Sequence, residues 1–296
     1  MSLDIKEILS QLLQKNLFIY TNFQMLIRKR YPIIPDYFPS AGYRYGYGKP
    51  PHAALYEIIN EQRNTYVALL KEFLNYDTLL SRIPIYKTKE DEPFWTNTWF
   101  QSLDAIALYC FLCMYKPATF LEIGSGNSTK FIRRAIIDNN LGTKIISIDP
   151  QPRAKIDTLC DEVVRTPLEK TDIAIFKELE ENDILFFDGS HRCWTNSDVT
   201  VFFLEILPGL PLGVLCHVHD IFLPYDYPPE WNDRLYSEQF VLAAYLLAKT
   251  EIFNIVLPNA FISRDPQLLS ILKPLDRYMD TNNRDYYSNS FWIKTK

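Results

Sequence analysis

The feature that most constrains the fold is an alternation of short apolar runs with helical segments from residue 93 to the end of the sequence. Strands that alternate with helices of this length are joined by right-handed crossovers into a mostly parallel sheet that is covered on both faces. We therefore predict a doubly wound α/β domain. The predicted strands are 119–123, 144–148, 161–164, 183–187, 213–218, 252–257 and 290–294, and the helices among them are 129–139, 171–179, 198–207 and 237–248.

The first 92 residues have a different character. Apolar residues at helical spacing predict one helix from residue 3 to about 31 and another from 53 to about 80. Between them lies a loop at 42–51 that is rich in glycine, proline and tyrosine. We accordingly divide the chain into a helical N-terminal extension or lid, residues 1–92, and an α/β domain, residues 93–296.

Composition restricts the partners and the compartment. The 31 basic and 36 acidic residues give a net charge of −5, so no strong positive field favours nucleic acid or an anionic membrane. The N-terminus lacks a signal-peptide pattern, no apolar stretch reaches the ~20 residues of a membrane span, and five cysteines show no disulfide spacing. We expect a cytoplasmic protein with a small-molecule substrate, and leave open whether it forms a homodimer.

The end of the first predicted strand carries a motif. Glu122 stands inside the strand, and Gly124 and Gly126 follow in a turn that lets the backbone approach a ligand closely. Residues 127–129 are polar and suited to cap the next helix, whose free N–H groups favour an anion. Asp149 ends the second strand, 25 residues after Gly124, at a spacing typical of an acid that binds ribose hydroxyls.

The Glu-x-Gly-x-Gly turn and the acid after the second strand resemble class I S-adenosylmethionine (SAM) dependent methyltransferases. The resemblance implies a seven-stranded, mostly parallel sheet whose last strand inserts antiparallel beside the fifth. It also implies SAM as the cofactor, with the methionine end along the glycine-rich turn and the ribose at Asp149. The cofactor-binding residues it implies are Glu122, Gly124, Ser125, Gly126, Ser128, Asp149 and Asp188.

Two other readings of the motif stay open. A nicotinamide-dependent oxidoreductase shares the first two glycines, but its third glycine, which allows close packing of helix and strand, is replaced here by Thr129. A non-catalytic protein of the same fold would bind the cofactor, or only a partner, without turnover. Preferential binding of NAD(P)H would identify an oxidoreductase. A non-catalytic protein would be unaffected by substitution of the acidic and histidine residues that follow the fourth and fifth strands.

The fourth and fifth predicted strands also end in polar residues. Asp188 and His191 follow the fourth strand, and His219 and Asp220 follow the fifth. Neighbouring parallel strands end at the same edge of a sheet, roughly 5 Å apart, so these four side chains are expected to converge. Methyl transfer to oxygen needs a base for the hydroxyl proton, which an imidazole can supply, and stabilisation of the oxyanion, which a divalent metal can supply.

This layout resembles that of metal-dependent O-methyltransferases of the catechol and sugar-directed types. The resemblance implies that His191 and Asp188 are catalytic, and that Asp188, His219 and Asp220 hold Mg²⁺ or Mn²⁺. The ligand pair in that family is Asp-Asn, Glu-Asp or Asp-Asp, whereas this chain has His-Asp, so a site without metal stays open as well. The function expected is O-methylation of a small hydroxylated metabolite or sugar. The aromatic segments 42–51 and 224–231 are expected to contact the substrate.

Overall fold

A computed structural model describes residues 42–100, 102–152, 154–278 and 288–296. The helix predicted from residue 3 to about 31 lies outside these residues. Within them, seven strands form one sheet with the order β3-β2-β1-β4-β5-β7-β6. The strands are β1 (Thr119–Ile123), β2 (Lys144–Ile148), β3 (Glu162–Val164), β4 (Ile184–Phe187), β5 (Leu215–Val218), β6 (Phe253–Pro258) and β7 (Phe291–Thr295).

The strand directions confirm the predicted fold class. The pairs from β3 to β5 are all parallel, and β7 runs antiparallel between β5 and β6. Every residue of β4 and β5 is buried, as expected for strands covered on both faces. Ile123 of β1 pairs with both Ile148 of β2 and Phe187 of β4, so the residues that follow these three strands emerge side by side. This edge, where the strand order reverses, is where such sheets bind ligands.

Helices cover the sheet. They are α1 (Ala53–Asn60), α2 (Arg63–Phe73), α3 (Asp77–Leu80), α4 (Ser102–Tyr115), α5 (Asn127–Asn139), α6 (Asp198–Val201), α7 (Glu238–Leu247), α8 (Asn259–Arg264) and α9 (Pro266–Ile271). Helix α4 is buried along residues 102–113 because it is apolar on nearly every side. Its one charged residue in that stretch, Asp104, is buried too.

Three predicted helices differ from the structure. The helix expected at 53–80 is divided into α1, α2 and α3. The segment expected as a helix at 171–179 forms 3-10 turns, because its apolar residues Ile173, Phe176 and Leu179 recur every three residues, the period of that tighter helix. The segment at 198–207 begins as α6 and continues as a π-helix over Phe202–Ile206.

The helices from 53 to 80 share their core with the sheet. Leu55, Tyr66 and Phe73 are buried in the same apolar cluster as the strands. Arg63 of α2 donates two hydrogen bonds to the carboxylate of Asp265, at 2.6 and 2.8 Å, which joins α2 to the N-terminus of α9. The domain boundary at residue 92 stays a prediction. In the described part of the chain, no helix has both the length and the apolar character needed to cross a membrane.

Candidate active site

A tight turn joins β1 to α5. Gly124 has a φ angle of +80°, and a Cβ atom placed there would lie 1.9 Å from the carbonyl oxygen of Asp188. Its N–H donates to the carbonyl of Ile148 at 3.0 Å. The packing of three strand ends therefore requires glycine at 124. Gly126 differs, because its backbone is extended and a Cβ atom there would meet nothing within 4 Å.

Glu122 lies behind this turn. Its side chain is fully buried and accepts hydrogen bonds from the hydroxyls of Thr129, at 2.5 Å, and Ser128, at 3.2 Å. Burial raises the pKa of Glu122 to about 7, against the effect of these hydroxyls. Glu122 lines neither of the two cavities described below. It holds the first turn of α5 in place, and its assignment as a cofactor ligand stays a prediction.

Asp149 connects the end of β2 to the glycine-rich turn. One carboxylate oxygen accepts from the N–H of Ser125 at 2.9 Å, and the other accepts from the N–H of Gln151 at 2.7 Å. The Ser125 hydroxyl lies 2.6 Å from the hydroxyl of Ser147. These contacts fix the turn and leave Asp149 at the wall of a cavity.

Two cavities open at this edge of the sheet. One, of about 540 Å³, lies between the ends of β2 and β4 and is lined by Asp149, Leu168 and Gly189 among others. The second, of about 550 Å³, extends from the start of α5 to the end of β5. Ser125, Asp188 and His191 line both cavities, so the two spaces meet at these residues.

An imidazole and three carboxylates form the centre of the site. The Nε2 atom of His191 lies 3.3 Å from Oδ1 of Asp188 and 3.2 Å from Oδ2 of Asp220. Its Nδ1 atom lies 2.5 Å from Oε1 of Glu238, a buried residue at the start of α7. Both ring nitrogens of His191 thus face carboxylate oxygens.

These contacts set the charges. Burial acts to lower the pKa of His191, but the carboxylates of Glu238, Asp220 and Asp188 outweigh it and raise that pKa well above its ordinary value. Burial raises the pKa of Glu238 to about 7, against the effect of His191. Burial also acts to raise the pKa of Asp188, and the imidazoles of His219 and His191 outweigh it and lower that pKa. His191 therefore favours the imidazolium form.

His219 completes the predicted set of four. Its Nδ1 atom lies 3.5 Å from both Asp188 Oδ1 and Asp220 Oδ1, and these carboxylates raise its pKa to about 9 against the effect of burial. On the other side of the ring, Nε2 is 3.9 Å from the carboxylate of Asp104 in α4. Asn289 joins the two carboxylates, since its side-chain amide donates to Asp220 at 2.7 Å and its backbone N–H to Asp104 at 2.9 Å.

The residues do not fit the expected metal centre. Among the residues that the structure describes, no group of three or more histidine, cysteine or acidic side chains is placed to hold a metal ion. The carboxylates of Asp188 and Asp220 instead face the Nε2 atom of His191, at 3.3 and 3.2 Å. The expectation of Mg²⁺ or Mn²⁺ at Asp188, His219 and Asp220 therefore has no support here.

The mouth of the larger cavity is aromatic. Trp231, Tyr236 and Arg234 line it, and the guanidinium of Arg234 lies 3.9 Å from the Trp231 ring centre. The tyrosines of the 42–51 loop line neither cavity. Instead the backbone N–H groups of Arg44 and Tyr45 donate to the carboxylate of Asp226. Of the two aromatic segments, only 224–231 reaches the candidate site.

Sequence reasoning missed several residues of the site. Glu238 gives no local signal, because it contacts His191 across 47 residues of sequence. Asp104 did carry a signal, since a charged residue inside an apolar helix predicts a buried carboxylate that needs partners. His217 lies within β5 and is fully buried: its ring stacks on Phe186, with 3.8 Å between ring centres, and its Nε2 atom lies 2.7 Å from the Ser290 hydroxyl.

Comparison with known proteins identifies one family over part of the chain. Residues 121–221 match the family described as a methyltransferase domain. A protein of Archaeoglobus fulgidus, described as uncharacterized, is 30% identical over 96 residues, which is 30% of this chain and 42% of that protein. The chain thus spans less than half the length of this relative.

Among solved structures, two methyltransferases show a partial likeness to this chain. An O-methyltransferase from Bacillus cereus in complex with SAH is 15% identical with a TM-score of 0.41, covering 77% of this chain and 91% of that one. An SAH-bound methyltransferase of Podospora anserina is also 15% identical with a TM-score of 0.41, covering 95% of this chain and 97% of that one. The strand order is that of a doubly wound sheet with an antiparallel strand in the last-but-one position, and residues 121–221 match a methyltransferase domain.

Proposed function

We propose that this protein is a SAM-dependent methyltransferase that transfers the methyl group to a hydroxyl oxygen of a small molecule, a metabolite or a sugar. The observation that carries the proposal is the meeting of two cavities at Ser125, Asp188 and His191. A cofactor that extends from the smaller cavity into the larger one, and an acceptor in the rest of the larger cavity, would be held together beside an imidazole. Methyl transfer to a hydroxyl needs this proximity and a proton acceptor.

The cofactor would span the junction. Its adenosine end would occupy the smaller cavity, with Asp149 near the ribose hydroxyls and Leu168 near the base. Its methionine end would lie along the start of α5, where the positive charge of Lys130 faces the α-carboxylate. Lys130 supports this placement because it lines the larger cavity, is only 4% exposed, and forms no ion pair with a carboxylate of the described residues. A buried charge of this kind is costly without a partner.

The acceptor oxygen forms a bond to the methyl carbon, the bond from that carbon to sulfur breaks, and the sulfur keeps the electron pair, which leaves SAH. The hydroxyl proton moves to Nε2 of His191, and the imidazolium is stabilised by Asp188 and Asp220, with Glu238 at Nδ1. No step uses a metal. Because the pKa of His191 is raised, the neutral imidazole is a strong base, and its population grows with pH.

Calorimetric titration with SAM, followed by measurement of SAH formation with a panel of hydroxylated small molecules, tests the proposal. We expect His191→Asn to bind SAM like the wild type and to lose turnover. His52→Asn is the matched control, because His52 caps α1 through a hydrogen bond to Leu55 N–H, lines neither cavity, and asparagine is also a good cap.

The other outcomes identify the alternatives. Binding of NAD(P)H without SAM would assign the chain to the oxidoreductases. Binding of SAM with no SAH formed from any hydroxyl acceptor, and with no effect of His191→Asn on any property except stability, would assign it to the non-catalytic binding proteins.

A further inference from the structure

The larger cavity carries a cationic group that the proposed reaction does not use. At the floor of the cavity, the carboxylates of Asp104, Asp188 and Asp220 face the imidazoles of His191 and His219. Its mouth is marked by Arg234, at the end of the 3-10 turn Pro229–Arg234. A small molecule that enters such a cavity is oriented by its own charges, with any anionic group toward the mouth.

The guanidinium of Arg234 is held in place without being neutralised. It stacks on Trp231 at 3.9 Å and lies 5.6 Å from the Tyr236 ring centre. The backbone carbonyl of Arg234 accepts a hydrogen bond from Nε of Arg192 at 2.9 Å, which fixes the turn. In the residues that the structure describes, no carboxylate pairs with the Arg234 side chain and no acceptor takes its N–H groups. A half-buried, preoriented guanidinium of this kind fits a planar oxyanion with two hydrogen bonds.

The distance to the reacting group suits a small ring. Tyr236 lies between Arg234 and His191, because its ring centre is 5.6 Å from the Arg234 guanidinium and 4.5 Å from the ring centre of His191. Its ring is held by Trp231, at 5.6 Å and nearly perpendicular. An aromatic ring that lies against these side chains could direct a hydroxyl toward His191 and a substituent toward Arg234.

We infer that the acceptor is a planar hydroxylated ring that carries a carboxylate, with Arg234 as the residue that binds the carboxylate. This inference rests on the proposed function, and it names the class of acceptor for that site. The carboxylate pairs with Arg234 at the mouth, which leaves the hydroxyl directed toward His191. A neutral ring of the same shape lacks this pairing.

Binding of matched probes to the SAH-loaded protein tests the inference. The probes are 3,4-dihydroxybenzoate, the neutral 3,4-dihydroxybenzyl alcohol and 3,4-dihydroxyphenyl phosphate, each titrated by calorimetry. We expect the benzoate to bind the wild type about tenfold more tightly than the alcohol, as for one charge-assisted bidentate contact. Arg234→Gln should remove the preference for the benzoate. Arg234→Lys should retain part of it, because lysine keeps the positive charge but lacks the two parallel N–H donors of the guanidinium. Arg264→Gln, an arginine stacked on Tyr225 outside both cavities, should keep the full preference.

Equal binding of benzoate and alcohol, binding of neither, or a preference that survives in Arg234→Gln would overturn the inference. Tighter binding of the phosphate would overturn the choice of a carboxylate. A loss of SAH affinity in Arg234→Gln would reassign the residue to the cofactor. SAH affinity of the wild type is measured first, because its absence would refute the proposed function, whereas SAH binding without any probe preference would refute this inference alone.

Discussion

Separate substitutions of the two glycines in the β1–α5 turn distinguish the glycine that the fold requires from the glycine that ligand binding requires. A Cβ atom at Gly124 would lie 1.9 Å from the Asp188 carbonyl oxygen and 2.9 Å from its carbon, at a φ angle of +80°. A side chain in left-handed backbone costs about 1–2 kcal/mol, and displacing packed backbone costs about 1–3 kcal/mol. We therefore expect Gly124→Ala to lower the free energy of unfolding by about 2–5 kcal/mol, a large share of a typical domain's stability.

Urea unfolding followed by tryptophan fluorescence, together with thermal melting by circular dichroism, measures this loss. A decrease of this size lowers the melting temperature by on the order of 10 °C in a chain of this length. Gly124→Ala should also lower turnover, because the Asp188 N–H is hydrogen-bonded to Ile123 at 2.8 Å and the two strand ends move together.

Gly126 supplies the matched control. Gly126→Ala should change the free energy of unfolding by less than about 0.5 kcal/mol, because its Cβ atom meets nothing within 4 Å. Gly126→Arg should fold, yet lose SAM binding because the side chain enters the larger cavity. The reasoning is refuted if Gly124→Ala is as stable as Gly126→Ala, since the close approach of β1 and β4 would then not be a constraint.

Three further predictions concern protons and metal. The native state holds the proton of Glu122 more tightly than the unfolded chain, with a pKa raised by burial from 4.5 to about 7, so the stability from this group is lost as pH rises through that interval. Between about pH 4 and about pH 8, the free energy of unfolding of the wild type should fall by about 3 kcal/mol relative to that of Glu122→Gln. The same difference between the two proteins at both pH values would contradict the buried acid. Glu238→Gln removes one of the carboxylates that raise the pKa of His191, so the rise of kcat with pH should move to lower pH. If the pH profile of kcat does not move, His191 is not the group that accepts the proton. Dialysis against EDTA should leave turnover unchanged, because the carboxylates of Asp188 and Asp220 already face the His191 imidazole; loss of turnover that Mg²⁺ or Mn²⁺ restores would contradict this expectation.

Most strands could be predicted from the sequence because they are largely buried and read as apolar runs; the short β3, whose residues are exposed or half-buried, is the exception to that burial. All seven were found within two residues of their ends, including the antiparallel β7 that the family resemblance implied. The helices were harder to predict because their type depends on packing. At 171–179 apolar residues three apart favour a 3-10 turn, and the break between α1 and α2 has no proline or glycine to mark it.

The sequence could predict the site residues that directly follow a strand, because the strand fixes where they lie. Asp188, His191, His219 and Asp220 do converge, as expected for side chains that follow neighbouring strands. Their partners come from elements distant in sequence: Glu238 from α7, Asp104 from α4 and Asn289 from the segment before β7. Spacing cannot identify these residues, because it describes contacts within an element and not the packing of one element on another.

The backbone at two of these residues shows why the cluster forms where it does. His191 has a φ angle of +62° and Asp220 of +56°, and such left-handed conformations cost of order 1 kcal/mol or more for residues other than glycine. The strain is opposed by contacts that hold both residues: the His191 carbonyl accepts from the N–H of Ser237 at 2.8 Å, and Asp220 accepts from Asn289. Asparagine tolerates the left-handed region better than most residues. His191→Asn therefore removes the imidazole while keeping the turn, so a loss of turnover in that variant reports on proton transfer and not on a rearranged backbone.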